Sequence, residues 1–499
     1  MSMRSNDRAD TRAAASRAAA RRTAPVDLPT PAPSSFGKVE RPNGPLGLGI
    51  IASLVTGRSQ PNYLFEAAAR ENAPVAHLRM AGDHVYILSD PALVNEVFLD
   101  NARDVMKGRG LQAARSLLGN GLLTSEGDFH LRQRRLAQPA FHKQRIAQYA
   151  EQMVTETVRH VSPWRDGDRV DMVEHMTSLT LAIVGQTLFG SDLTGDAKMF
   201  GETLAELISG FGQLSALGNE RLVRALPQGR RLLAKVEDLD QVVQRIIDDH
   251  RSDIANGHGR PDLLTWMIQA HDDQSADRFG ATMTDDQLRD EVMTMVLAGH
   301  ETTAMALSWM WYSLSVEPGI DQRLAAEWQS VLGTSPRVPT FDDIAQLNLT
   351  RAVVAETIRL YPPAWIMGRR TLVDMTIGGW QIPSGSIILG SPWILHRDPA
   401  LWDSATSFRP DRWLNSEGQF DESAPGVPRG AWIAFGFGNR RCIGEQFAWT
   451  EAALLLATIG STWRPELVPG TAVETQAAVT LRPRNGLPMT IRRRHLDAD

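Results

Sequence analysis

Patterning of the β type is confined to two stretches far apart in the chain, and between them apolar residues recur at helical spacing. Early on, Val75 to Met80 and His84 to Leu88 flank the turn Ala81-Gly82-Asp83 and predict a hairpin. Asp90-Pro91 follows as an N-cap and a helix-starting proline. From about Asp128 to Val316 the pattern is a succession of helices. Ile377 to Leu389 and Ala478 to Arg492 return to short strands, the last pair turning at Asn485-Gly486. Runs of helices with a small segregated sheet predict a mainly α chain of the α+β class, without βαβ alternation.

The longest predicted element begins at the capping box Thr284/Gln287 and meets no proline until Pro318. That allows one helix of roughly thirty residues, about 50 Å long. Its second half is apolar on every side (Met293, Val296, Leu297, Met305, Leu307, Trp309, Trp311), the mark of a buried helix. Yet its middle reads Ala298-Gly299-His300-Glu301-Thr302-Thr303. A glycine, an acid and two hydroxyls cost stability there, so something must offset them. One reading is structural, with Thr302 bonding back to a carbonyl and Glu301 meeting a cation; the other is chemical. A zinc site of the H-E-x-x-H kind is excluded, because position 304 is Ala304.

Composition widens the picture only a little. A chain of 499 residues, 42% hydrophobic, can bury a large core. Two or three domains are the default at this length unless something large, such as a buried cofactor, fills the middle. A net charge of −6 gives no reason to bind nucleic acid or an anionic membrane. Residues 1–36 carry arginines among alanines and serines, then prolines, and are expected to be a disordered tail. The run Leu46 to Val55 is interrupted by Gly47 and Gly49 and is too short to span a bilayer, which needs about 20 residues, so no membrane anchor is expected. The pattern Gly47-Leu48-Gly49 follows no strand and is discarded as a dinucleotide site. The single cysteine forbids an intrachain disulfide and cannot hold an iron–sulfur cluster.

Glu356 and Arg359 share a helix face. The segment Phe408-Arg409-Pro410-Asp411-Arg412-Trp413 offers a second arginine to complete a buried Glu–Arg–Arg cluster, structural in kind. The decisive stretch is Phe435-Gly436-Phe437-Gly438-Asn439-Arg440-Arg441-Cys442-Ile443-Gly444, a glycine-punctuated loop feeding a helix. At a helix entrance beside two arginines, Cys442 is favoured as thiolate, which suits a nucleophile or a metal ligand. A thiolate on haem iron needs donors around sulfur and cations for the propionates, and the loop supplies both.

This segment resembles the F-x-x-G-x-R-x-C-x-G signature of the cytochrome P450 family at Phe435, Gly438, Arg440, Cys442 and Gly444. Ala298-Gly299 through Thr303, Glu356 to Arg359 and Phe408 to Trp413 fall in the same family's order. The resemblance implies a helical prism with small segregated sheets, one domain over residues 37–499, around one haem b (iron protoporphyrin IX). It implies Cys442 as the iron ligand, with Arg440, Arg369, His130 and Arg134 as propionate partners. Arg370 competes with Arg369, and Arg132 and Arg135 compete with Arg134. It further implies reductive activation of dioxygen, with Thr302 and Glu301 handling the protons that O–O cleavage requires. Electrons are expected from a ferredoxin or flavodoxin, docking near Cys442 where Arg441 offers charge. The substrate is expected to be a hydrophobic small molecule, fatty-acid-, terpenoid- or polyketide-like, since positions resembling the pocket wall (Leu297, Ala298, Ala364, Trp365, Ile366, Met367, Val479) are largely apolar. A cytoplasmic monomer is expected. A haem-thiolate isomerase or dehydratase, a haem sensor or carrier, and a cysteine hydrolase are the alternatives.

Overall fold

The computed structural model describes residues 28–37, 39–42, 60–80, 82–190, 227–274 and 276–494. The expected tail up to residue 27, the run Leu46 to Val55 with its glycine pattern, and Ala81 lie outside the described residues. Among the described residues the longer helices are α1 (Pro61–Glu71), α2 (Gly127–Ala137), α3 (Lys143–Val161), α4 (Met172–Phe189), α5 (Pro227–Ala255), α6 (Leu263–Gln269), α7 (Asp285–Val316), α8 (Pro318–Leu332), α9 (Asn348–Leu360) and α10 (Glu445–Gly460). No helix among them is long and apolar enough to cross a membrane.

The strands are β1 (Val75–Met80), β2 (Asp83–Leu88), β3 (Val105–Lys107), β4 (Arg169–Asp171), β5 (Met367–Thr371), β6 (Met375–Ile377), β7 (Trp380–Ile382), β8 (Ile387–Gly390), β9 (Trp463–Leu467), β10 (Thr475–Ala477), β11 (Leu481–Pro483) and β12 (Pro488–Arg493). They form a five-stranded sheet in the order β1-β2-β8-β5-β3, a three-stranded sheet β4-β12-β9, and the pairs β6-β7 and β10-β11. The predicted hairpin is present, with Val75 opposite Leu88 and Met80 opposite Asp83. Strand β2 reads apolar without alternation because both its faces are covered. Tyr86 and Leu88 pack with Val97, Ile377 and Ile388, whereas Val85 and Ile87 pack with Phe65, Leu78 and Trp393.

The chain clusters into two compact units. The first comprises Met1–Thr30, Lys107–Ala140 and Leu188–Ala298, and the second Pro31–Met106, Phe141–Thr187 and Gly299–Asp499. Within the first, the N-terminal half of α7 anchors the loop before α2. Asn120 N–H donates to Asp290 at 2.6 Å and Leu122 N–H to Glu291 at 3.0 Å. Within the second, α10 is buried along most of its length, and its Phe447 meets Tyr149 of α3 at 6.1 Å between ring centres.

The capping box at the start of α7 forms as expected, Thr284 N–H to Gln287 Oε1 at 3.1 Å and Gln287 N–H to Thr284 Oγ1 at 3.3 Å. Asp90 caps the following turn by accepting from Ala92 N–H at 2.7 Å. Two expectations near the C-terminus are corrected. The strands near Asn485-Gly486 do not pair with each other: β11 joins β10, and β12 joins β4 and β9. Gly486 (φ +76°) is a corner whose missing Cβ leaves room for Asp171, and Asp171 accepts from Leu487 N–H at 3.0 Å. Residues Ala478 to Thr480, expected to be strand, are the β10–β11 turn. At the other end of the chain, Ala32 N–H bonds to Leu372 O at 2.8 Å and Ser35 N–H to Asp374 at 2.7 Å, so the last residues of the expected tail are tied down.

Candidate functional site

The loop before α10 is shaped by its glycines. Gly436 and Gly438 adopt φ of +74° and +49°, a region side chains disfavour. Backbone bonds close the loop: Gly436 N–H to Ile433 O at 3.1 Å, Arg440 N–H to Phe437 O at 3.0 Å and Cys442 N–H to Phe435 O at 2.8 Å. Cys442 is thereby displayed with its side chain exposed, in contrast to the usual burial of cysteine. Arg441 points away into a two-pronged ion pair with Glu445, at 2.5 and 2.6 Å. Its charge is shared at once with that carboxylate, which weakens it as a docking cation.

Strand β5 lies against this loop. Met367 Sδ is 3.8 Å from where a Cβ on Gly436 would stand, and Arg369, two residues on, shares that strand face. The Arg369 guanidinium sits 4.8 Å over the ring of Phe98, which packs on Phe437 of the loop at 6.0 Å. Arg370 takes the opposite face and donates to Gly385 O at 3.3 Å. Arg440, in the loop itself, is half-buried.

Helix α7 continues α-helical through Gly299. A Cβ there would come within 3.2 Å of Val184, so the glycine lets α4 approach closely, and Thr180 of α4 donates to His300 O at 3.0 Å. This packing offsets the low helix propensity of glycine. Thr303 donates back to Gly299 O at 3.1 Å, whereas Thr302 is only partly buried. Glu301 is buried and accepts on one oxygen, Oε1, from Thr480 Oγ1 at 2.8 Å and from Arg482 Nη2. The cationic partner is therefore Arg482 of β11, which the sequence did not single out.

Glu451 of α10 was also missed. It is fully buried, and burial pushes its carboxyl up to about 8, the Thr303 hydroxyl pulling only weakly the other way. The Thr303 hydroxyl itself donates to Gly299 O, and neither carboxyl oxygen of Glu451 makes a bond of good geometry among the described residues.

Glu356 behaves as a structural hub. It takes a fork from Arg359, both bonds at 2.8 Å, together with Arg412 Nε at 3.2 Å, Trp413 Nε1 at 2.9 Å and Arg409 N–H at 2.8 Å. Arg412 is thus the second arginine, and Arg409 contributes only its backbone.

In the first unit, His130 and Arg134 lie one turn apart on α2. His130 is buried, with Nδ1 3.2 Å from Ser125 Oγ. The competing arginines are committed elsewhere: Arg132 to Gly280 O and Thr282 O at 2.8 and 2.7 Å, and Arg135 to Asp272 at 2.8 Å. Glu291 of the same unit is fully buried, and its carboxyl is pushed up to about 7 by burial against the bonds from Leu122 and Gln133. Of the expected pocket-wall residues, Trp365 is buried and stacked on Phe65 at 6.2 Å, and Val479 is exposed.

These residues fit a haem. Among the described residues no cluster of three or more His, Cys, Asp or Glu is placed to hold a bare metal ion, but haem iron asks for a single protein ligand. A displayed thiol with a guanidinium in its own loop and another on the adjoining strand face is the donor set that a thiolate-bound iron and two carboxylate propionates call for.

The family description "Cytochrome P450" matches residues 42–487. Cyclooctatin synthase of Streptomyces melanosporofaciens is 38% identical over 420 residues, spanning 84% of this chain and 88% of that protein. Cyclooctat-9-en-7-ol 5-monooxygenase of the same organism is 34% identical over 411 residues, 82% of this chain and 86% of that protein. The crystal structure of the cytochrome P450DA heme domain aligns with a TM-score of 0.80 at 26% identity, covering 94% of this chain and 99% of that one. The helical architecture with small separate sheets is the cytochrome P450 fold, and this chain belongs to the cytochrome P450 family as a haem-dependent monooxygenase.

Proposed function

We propose that Cys442 ligates the iron of haem b, and that the enzyme inserts one oxygen atom into a hydrophobic, terpenoid-like molecule. The observation that carries the ligand assignment is the glycine-built loop that displays the one thiol of the chain. The terpenoid reading is supported by relatives named for cyclooctatin and cyclooctat-9-en-7-ol. Arg440 and Arg369 are proposed as propionate partners, with His130 and Arg134 carried over from the resemblance. The haem, when bound, supplies reductive activation of dioxygen.

What the chain itself does follows from its side chains. Cys442 stands just before the N-terminus of α10, where the helix dipole is proposed to favour the thiolate over the thiol. The Thr302 hydroxyl, one residue from Glu301 on α7, is proposed to hold and pass a proton. Glu301 is proposed to accept or deliver that proton through Oε2, because Oε1 is taken by Thr480 and Arg482. Electrons are proposed to come from a ferredoxin or flavodoxin to a cytoplasmic monomer.

The test is the difference spectrum of the reduced protein with carbon monoxide. The wild type is expected to show a thiolate band and Cys442→Ser to lose it. An unaltered spectrum in that variant would overturn the ligand assignment.

A further inference from the structure

We infer that Arg482 is a positioning residue for the reaction, and that through it and Thr480 the β10–β11 hairpin sets where the Glu301 carboxylate stands. The inference rests on the reading of Glu301 as a proton-handling group.

The ion pair is built unlike the forked ones in this protein, and like Arg289 on Asp240 it loads a single carboxylate oxygen. Arg359 grips Glu356 with a fork across both oxygens, and so do Arg337 on Asp343 and Arg323 on Asp411. A fork gives the most bonding and the most fixed geometry. Arg482 instead reaches Glu301 through Nη2 alone, on the same oxygen that takes the Thr480 hydroxyl, while its Nε is buried without a bonded acceptor among the described residues. Both donors thus fall on one oxygen. The carboxylate is aimed by one edge, and the other edge is engaged by neither hairpin residue. A carboxylate with 7% side-chain exposure also needs a counter-charge, which Arg482 provides.

The hairpin is built to keep that aim. Thr480 and Arg482 stand two apart and share one face, with fully buried Leu481 between them on the other. The backbone of Leu481 is held from two sides: its N–H donates to Pro363 O at 3.0 Å, and its carbonyl accepts from Trp309 Nε1 at 2.9 Å. Trp309 belongs to the same helix as Glu301, about 12 Å further along its axis. Trp365 Nε1 fixes the turn by donating to Ala478 O at 2.9 Å. Helix and hairpin are therefore registered at Trp309, and the register is used at Glu301.

The test takes the holoenzyme and the variants Arg482→Gln, Arg482→Lys and Thr480→Val. For each, the carbon monoxide difference band, the thermal midpoint and the affinity for a cyclic terpene hydrocarbon by haem spin shift are measured. Product and peroxide formed per reductant consumed are then compared. The expected result is an unchanged band and affinity in R482Q and T480V, with product per reductant falling by about tenfold to a hundredfold, the scale of an ångström's displacement of a reacting group. R482K should recover most of the loss, because the charge returns. A purely structural arginine would change the midpoint and leave the partition between product and peroxide alone. R482Q that binds haem and remains as coupled as wild type overturns the proposal. Should R482Q not load haem, fully coupled T480V overturns it instead. Wild-type protein without the thiolate band would overturn the monooxygenase reading itself.

Discussion

Glu451 is fully buried in α10, and its carboxyl is pushed from 4.5 to about 8 by burial. A carboxyl raised in the folded state takes up its proton more readily there than in the unfolded chain. Its contribution to stability is thus full below the unfolded value and is lost as pH climbs from about 4.5 through 8. Glu451→Gln, which keeps shape and stays neutral, should flatten the fall in stability across that window. Denaturant midpoints measured from pH 5 to 9 would show this, and parallel curves for the two proteins would refute it. Part of the slope should remain, because Glu291 is raised to about 7 by the same cause. Sequence reading reached Glu301 because an acid amid an apolar helix stands out, but it passed over Glu451 in a helix as apolar. It could not name Arg482, since nothing local in the chain ties residue 482 to residue 301. His130 was legible as one of a pair at helical spacing, whereas its burial against Ser125 depends on the loop packed beside α2.

At the scale of elements, whatever is decided locally was legible. The capping box of α7, the β1–β2 hairpin and the Asp90 cap each depend on residues within a few positions of one another. Pairing between distant strands was not legible. An Asn-Gly dipeptide flanked by strand-like residues signals a hairpin, yet here the chain turns the corner and leaves for another sheet, because Asp171 from far upstream occupies the space beside Gly486. The joint between α9 and the turn Pro410–Trp413 is likewise a long-range device, and Glu356 is its centre. Glu356→Ala would strand two buried guanidinium groups and should cost about 3–5 kcal/mol. Chemical denaturation would measure it, and a loss under about 1 kcal/mol, the size of an average substitution, would show the cluster to be dispensable. The fraction of this variant that folds should keep the thiolate band, since Glu356 makes no bond to the Cys442 loop that would alter it.

For the molecule as a whole, length alone suggested several domains unless a large group filled the interior. The family match from residue 42 to 487 supplies that group as a haem. A ligand bound only by the folded state adds stability in proportion to its occupancy, about 4 kcal/mol at a thousand times its dissociation constant. Protein stripped of haem should accordingly melt well below the holoprotein in scanning calorimetry, and equal melting temperatures would mean that the group is peripheral to the fold. The electron donor has less to grip at Arg441 than the sequence suggests, because Glu445 already neutralises it.

The manner in which the β10–β11 turn is fastened also bears on how such an enzyme can diversify. Trp365 and Trp309 hold the carbonyls of Ala478 and Leu481, and a carbonyl is the same whatever side chain its residue carries. Substitutions at positions 478 and 479 should therefore leave the turn moored, whereas at Thr480 and Arg482, which act through their side chains, they should release Glu301. Novelty and constraint alternate here along a single short ribbon.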